Sequence, residues 1–349
     1  MSDYIRKSIR QIAGYVPGEQ PHGESFIKLN TNENPYPPSP SVSRVMSKLD
    51  PSSLRLYPDP ASHGLCDAIA GIHGCNPEQV LTGNGSDEIL SLCIRAFVER
   101  GSGTVGYFDP SYSLYPVLCA IEEAETLPVA LGPEFEWTMP DSYAASIFFM
   151  TYPNAPTGIQ YRKSLVRDFC ETFPGVVVID EAYVDFAAED AMELALAMDR
   201  VIVTRTLSKS YSLAGIRLGY AVGPAPLINA MYKIKDIYNI NRITQEIGLA
   251  ALSDQDYMRD IVNRIKATRE RTANIMREME FMVYPSDTNF LWVKPPRISA
   301  ATLFESLREE KILVRYFPGK RTGNFLRITI GSDDEMDAFA NTVERIIKR

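Results

Sequence analysis

Histidine is scarce in this chain: there are three in 349 residues, His22, His63 and His73. None has the spacing that would bring two ring nitrogens to one metal ion, and no zinc-type cysteine pattern accompanies them. Cysteine is sparse as well. Cys66, Cys75, Cys93, Cys119 and Cys170 are odd in number, and none forms a C-x-x-C pair. That pattern excludes a disulfide framework and reads as reduced thiols, as expected of a cytoplasmic protein. Positive charge is in deficit: 36 Lys and Arg against 44 Asp and Glu leave a net charge of −8. Broad binding to nucleic acid or to an anionic membrane needs the opposite balance. Anionic ligands must therefore be met by a few placed arginines and backbone amides. No apolar run is long enough to span a bilayer, and the opening MSDYIRKSIRQIAGY is too polar for a signal peptide.

What is present is ordinary for a folded globular chain: 45% hydrophobic and 23% charged residues. The length suffices for one large domain and a smaller one. Residues 1–40 are rich in proline (Pro17, Pro21, Pro35, Pro37, Pro38 and Pro40) and read as an irregular arm packing with the small domain. From 41 to 255 helical and strand patterns alternate. Helices are expected at 63–73, 86–99, 161–173 and 225–235, and strands at 104–108, 146–151, 176–179 and 201–204. The run 176–179 is apolar throughout, as for a strand covered on both faces. Alternation of this kind implies α/β architecture with a mainly parallel sheet and right-handed crossovers. A charged helix at 254–280 opens the last part, 256–349, where strands and helices follow in α+β order.

Several segments at strand ends offer chemistry. GSGTVG at 101–106 fits G-x-G-x-x-G, but it follows a helix and precedes a strand, the wrong context for a dinucleotide. It reads as a plain turn. TLSKSYSLAGIRLGY at 206–220 follows the strand 201–204, where ligands of open α/β sheets gather. Thr206, Ser208 and Arg217 can hold a phosphate dianion, and Lys209 beside them can form a Schiff base with an aldehyde. Alone, the segment reads as a solvated loop, since lysine is mostly a surface residue. TGNGSDE at 82–88 leaves free backbone N–H groups at a helix start, either a phosphate cradle or a cap at Ser86. Asp180 ends an apolar strand, well placed for a cationic ring nitrogen, with Tyr183 three residues on. PNAPTG at 153–158 and DPSYSLYP at 109–116 also follow strands. Arg327 interrupts the apolar FLRITIG at 325–331, and Arg315 interrupts ILVRY. Buried arginine needs an anionic partner, whether a carboxylate or a ligand.

Together these segments resemble the fold-type I pyridoxal-phosphate aminotransferases, and within them the histidinol-phosphate aminotransferases. The resemblance runs in order over nearly the whole chain, through LNTNENPYPP at 29–38, RLYPDP at 55–60, GNGSDE at 83–88, DPSYSLYP, PNAPTG, VIDEAYVDF at 178–186, TLSKSYSLAGIRLGY and FLRITIG. It implies that Lys209 carries pyridoxal 5'-phosphate as a Schiff base and that Asp180 keeps the ring nitrogen protonated. By the same resemblance Tyr183 bonds the ring oxygen, Tyr112 stacks on the ring, and Gly85, Ser86, Asp87, Thr206, Ser208 and Arg217 hold the phosphate. Tyr57 would reach the phosphate in a neighbouring subunit, which implies a homodimer. Arg327 would grip the acidic group of the substrate, with Arg315 and Tyr15 beside it. One position departs: the usual asparagine before Pro-Thr-Gly is Ala155, which leaves Asn154 as the expected amide at the ring oxygen.

The resemblance implies transfer of an amino group between histidinol phosphate and the 2-oxoglutarate/glutamate pair, a step of histidine biosynthesis, with ping-pong kinetics. Two arginines suit a pocket that must accept phosphate and carboxylate in turn. The alternatives are an aromatic amino-acid aminotransferase, a threonine-phosphate decarboxylase of the same fold, and a non-enzymatic cofactor-binding regulator or inactive relative.

Overall fold

The computed structural model describes residues 4–21, 25–140 and 142–348; His22 lies outside them. A seven-stranded sheet dominates. Its strands lie in the order Val80–Gly83, Gly219–Val222, Val201–Thr206, Val176–Asp180, Ile147–Thr151, Thr104–Asp109 and Glu125–Ala130. Only Gly219–Val222 runs against its neighbours; the other pairings are parallel. The central strands begin as apolar runs, Ile147–Met150, Val176–Ile179 and Val201–Val203, because each face has its own helical cover. Val177 and Ile179 join Phe148, Met150, Val201 and Val203 in one core cluster. Val178 joins Ile147, Phe149 and Ile202 in the cluster on the opposite face. The first face is covered by His63–His73 and Lys163–Thr172, through Leu65, Ile69 and Val166. The second is covered by Ser86–Phe97 and Ala225–Tyr232, through Ile89, Cys93, Ile228 and Met231. Period-two alternation between two covered faces leaves no polar side of the sheet.

The segment after Asp254 begins with the long helix Gln255–Glu278. It continues into a four-stranded antiparallel sheet in the order Arg315–Tyr316, Leu326–Thr329, Phe290–Lys294 and Met282–Val283. Helices Ala300–Glu309 and Asp333–Ile347 pack on it through Leu303, Leu307, Phe339 and Val343. The N-terminal arm is less irregular than its prolines suggest. It holds a short helix, Lys7–Gln11, and a strand, Ile27–Lys28, which pairs in parallel with Ile312–Leu313. Backbone bonds at Leu29 extend this attachment, to the carbonyl of Leu313 and from the amide of Thr329. The arm thereby runs along the small sheet and brings residues 30–34 over the large one.

The glycine-rich stretch after Arg100 is a turn that closes with the Gly103 amide on the Glu99 carbonyl and leads into Thr104–Asp109. Among the described residues, no helix is long and apolar enough to cross a membrane. No group of three or more His, Cys, Asp or Glu side chains there is arranged to hold a metal ion.

Candidate active site

Parallel strands end on the same edge of a sheet, so the loops that follow them converge. Here the ends of Val80–Gly83, Thr104–Asp109, Ile147–Thr151, Val176–Asp180 and Val201–Thr206 surround a cavity of about 220 Å³. The arm and the small sheet close its other side with Asn30, Thr31, Asn32, Arg315, Phe317 and Arg327.

Lys209 follows Val201–Thr206 and lines the cavity. Its Nζ donates to the Thr31 carbonyl at 3.2 Å. Loss of water, and then the cation of Arg327, brings the lysine down to about 8. A good fraction of it is neutral, hence nucleophilic, near physiological pH. The loop that carries it is held on both sides: Asn34 donates to the Lys209 carbonyl at 2.9 Å, and Ser210 donates to the Asp185 carboxylate.

Asp180 ends its strand fully inside the protein, 2% exposed. Burial pushes its carboxyl up to about 6, with the Tyr115 hydroxyl pulling the other way. Tyr115 was not singled out by the sequence, yet its hydroxyl donates to Asp180 Oδ2 at 3.0 Å. It also lies 2.6 Å from Thr151 Oγ1, which lies 3.0 Å from Ser111 Oγ. If Asp180 is ionised it can only accept, so Tyr115 donates to it and receives the Thr151 proton. The available signal was a second tyrosine three residues after Tyr112, at the first turn of helix Tyr115–Glu122.

At one end of the cavity stand Ser86, Asp87, Thr206, Ser208 and Arg217. Helix Ser86–Phe97 points its N-terminus there, capped by Gly85 at φ 79°. A side chain at Gly85 would collide with the Arg217 guanidinium, so this glycine lets the arginine lie against the helix start. Gly85 itself is outside the cavity lining. Asp87 Oδ2 pairs with Arg217 at 3.0 Å, and Asp87 Oδ1 accepts from the Tyr112 hydroxyl at 3.1 Å. Thr206 Oγ1 donates to Ser208 Oγ at 2.9 Å. Hydroxyls, a guanidinium and free helix amides make a donor set for a phosphate dianion.

At the other end lies Arg327, in the strand Leu326–Thr329. Its guanidinium sits between the Phe290 and Phe317 rings, 5.2 and 5.3 Å from their centroids. One bond reaches the Asn30 carbonyl, at 3.2 Å, and its Nε is buried without a partner among the described residues. Burial depresses its basicity. Arg315 is differently employed: it donates to the carbonyls of Pro17 at 3.0 Å and Val16 at 2.7 Å and so fastens the arm. Tyr15, on that arm, meets Tyr112 edge-on at 6.2 Å. Tyr183 lines the wall between the two ends; its hydroxyl accepts from Asn32 Nδ2 at 2.8 Å.

Besides Gly85, two expected residues are absent from the lining. Asn154 is fully buried and does not line the cavity, whereas Ala155 does. The Asn154 amide donates to the Pro110 carbonyl at 3.2 Å and to Thr157 Oγ1 at 3.0 Å. Its oxygen accepts from Ser111 at 3.1 Å. Its polar atoms are thus used inside the loop, so the expected contact with a ring oxygen is not available to it. Tyr57 is 77% exposed and lies outside the cavity of its own chain, stacked on Tyr238 at 4.4 Å.

The sequence model of aminotransferase class I and II matches residues 24–343. A histidinol-phosphate aminotransferase of Rippkaea orientalis is 40% identical over 343 residues, 98% of each chain. One from Synechocystis is 44% identical over 335 residues, 95% of each. The crystal structure of histidinol-phosphate aminotransferase from Sinorhizobium meliloti in complex with pyridoxal-5'-phosphate superposes with a TM-score of 0.88 at 25% identity. That match covers 100% of this chain and 98% of the other.

Proposed function

This chain belongs to aminotransferase class I and II, and from that premise we propose that it moves an amino group between histidinol phosphate and the 2-oxoglutarate/glutamate pair. The observation that carries the reading is one cavity with three separated charges of different use. A lysine of lowered basicity stands in the middle, a buried carboxylate lies beneath, and a buried guanidinium with no carboxylate partner among the described residues lies at the far end. Relatives 40–44% identical over nearly their full length carry that activity in their names.

The donor set fits pyridoxal phosphate. Ser86, Thr206, Ser208 and Arg217 would hold its phosphate, with Gly85 making room for Arg217. Asp87 is a carboxylate and a poor neighbour for a dianion; its part would be its backbone amide and the alignment of Arg217 and Tyr112. When bound, the cofactor supplies an electron sink for the carbanion formed at the substrate carbon. The protein's own contributions then follow from the geometry. Asp180, ionised, favours a protonated ring nitrogen, because an opposite charge stabilises the charged form. The Lys209 amine would hold the cofactor through its aldehyde carbon, with water leaving as the C=N bond forms, and when free would take up and return a proton as base and then acid. Tyr112 would cover the ring face, and Tyr183 would face its oxygen.

Arg327 would take the phosphate of histidinol phosphate or the carboxylate of glutamate in the same fork. Arg315 and Tyr15 would join it from the arm side. Tyr57 would act across a homodimer, on the cofactor phosphate of the second copy. The test is a panel of amino donors with 2-oxoglutarate as acceptor, run on protein reconstituted with pyridoxal phosphate. Histidinol phosphate should give the largest kcat/KM. A preference for phenylalanine would make this an aromatic aminotransferase, and release of carbon dioxide from threonine phosphate would make it a decarboxylase. Failure to take up pyridoxal phosphate would remove the reading altogether.

A further inference from the structure

Three consecutive residues of the arm touch three functional groups of the cavity. The carbonyl of Asn30 receives Arg327, that of Thr31 receives Lys209, and the side chain of Asn32 donates to Tyr183 at 2.8 Å. Asn32 is 1% exposed and takes the left-handed conformation, φ 56°. Its orientation is fixed from the small sheet. Thr329 Oγ1 donates to Asn32 Oδ1 at 3.0 Å, and the Asn32 backbone N–H donates back to Thr329 Oγ1 at 3.0 Å. Asn289 donates to the Asn32 carbonyl at 3.1 Å.

An amide oxygen that already accepts from Thr329 leaves the amide nitrogen facing Tyr183, so Asn32 can only donate to the phenol. A phenol has one proton. With its oxygen occupied as an acceptor, that proton must be given elsewhere, and among the described residues Tyr183 has no acceptor of its own. The neighbouring loop offers the cavity no amide at this wall, because Asn154 is turned inward and Ala155 faces the cavity. We propose that Asn32 is a positioning residue: held by Thr329, it fixes Tyr183 as a hydrogen-bond donor into the cavity. The inference rests on the reading that pyridoxal phosphate binds there with its ring oxygen toward Tyr183.

The device joins two parts of the fold. Tyr183 follows the sheet strand that ends in Asp180, while Thr329 ends a strand of the small sheet, and Asn32 on the arm bridges them. Attachment of the arm would therefore set the direction of the Tyr183 hydroxyl. The other charged or titratable groups facing Tyr183 are Lys209, Arg327, Asp180, Tyr15 and Tyr112, and none changes in the substitutions below.

The readout is the pH titration of the visible absorbance of the reconstituted protein, without substrate. A donor on the ring oxygen stabilises the anion left when the adjacent lysine-derived nitrogen loses its proton. Weakening that donor should raise the midpoint. Asn32→Gly removes the amide and tolerates the left-handed backbone. It should raise the midpoint by about half a unit to one unit, the range of one ordinary hydrogen bond. The same substitution in a Tyr183→Phe background should cause no further shift. Thr329→Val, which keeps Asn32 but releases it, should shift the midpoint in the same direction by less and serves if the glycine variant does not fold. An unchanged midpoint in these variants, or an equal shift with and without the Tyr183 hydroxyl, overturns the inference. A wild-type protein that takes up no pyridoxal phosphate would instead overturn the functional reading beneath it.

Discussion

Removing the Tyr115 hydroxyl isolates the electrostatics of Asp180. In Tyr115→Phe the ring keeps its place, stacked on Phe149 at 4.9 Å. Only the group that donates to Asp180 at 3.0 Å is lost. Without cofactor, Asp180 titrates at about 6, raised from 3.8 by burial. It is mostly protonated at pH 5 and ionised at pH 8. A carboxyl whose folded value is raised gives its full stability below the unfolded value, and that stability is lost as pH rises toward the folded value. An interval of about two units corresponds to a loss of roughly 3 kcal/mol. A bond to a charged acceptor is worth about 1 kcal/mol more than one to a neutral acceptor. The substitution should therefore move the Asp180 value up by a further unit or so. The expected destabilisation of the cofactor-free protein is roughly 0.5–1.5 kcal/mol at pH 5 and about 1–1.5 kcal/mol more at pH 8. Urea unfolding at the two pH values measures it. Equal losses at both would refute the reasoning, since the hydroxyl would then not sense the Asp180 charge.

Other outcomes follow from the same geometry. Lys209 is lowered to about 8, so its ammonium costs stability below that pH, and the cost fades as pH climbs to the ordinary lysine range. Lys209→Met should accordingly stabilise the cofactor-free protein at pH 6.5 by roughly 1–3 kcal/mol, read by urea unfolding, while abolishing any borohydride-fixed adduct. Arg327→Ala should lower kcat/KM for the acidic donor by about 100-fold or more and leave pyridoxal phosphate uptake unchanged; steady-state kinetics and fluorescence titration give the two values. Gly85→Ala puts a side chain at φ 79° and against Arg217. It should weaken cofactor binding by about tenfold, or ~1.4 kcal/mol, measured by the same titration.

Much of this site could be read from sequence because parallel strands place their chemistry at strand ends. Asp180 and Lys209 each stand within a few residues of an apolar run, and those runs are apolar on both faces. The edges were harder. Glu125–Ala130 lies at the sheet edge, carries Pro128 and is largely open to solvent, so it lacks the pattern of a central strand. Gly219–Val222 is short and joins the sheet against the common direction. Helix Tyr115–Glu122 carries Pro116 in its first turn, which reads as a turn. What remained hidden in the site were pairings over long separations. Tyr115 meets Asp180 across 65 positions, and Asn32 meets Tyr183 across 151. Neither shows in any local pattern. Asn154 was misplaced for a related reason: side-chain direction in a loop depends on its partners, here Ser111, Pro110 and Thr157. Arg315 and Arg327 look alike as arginines in apolar runs, and only their partners separate an arm fastener with two carbonyl bonds from a guanidinium with one.

The most direct test of the account is a half-reaction. Protein reconstituted with pyridoxal phosphate is mixed with histidinol phosphate and no amino acceptor, and the visible band is followed in time. The account predicts that the band is lost as the cofactor takes the amino group, faster than with phenylalanine at the same concentration, and that 2-oxoglutarate restores it. A band unmoved by histidinol phosphate would contradict it.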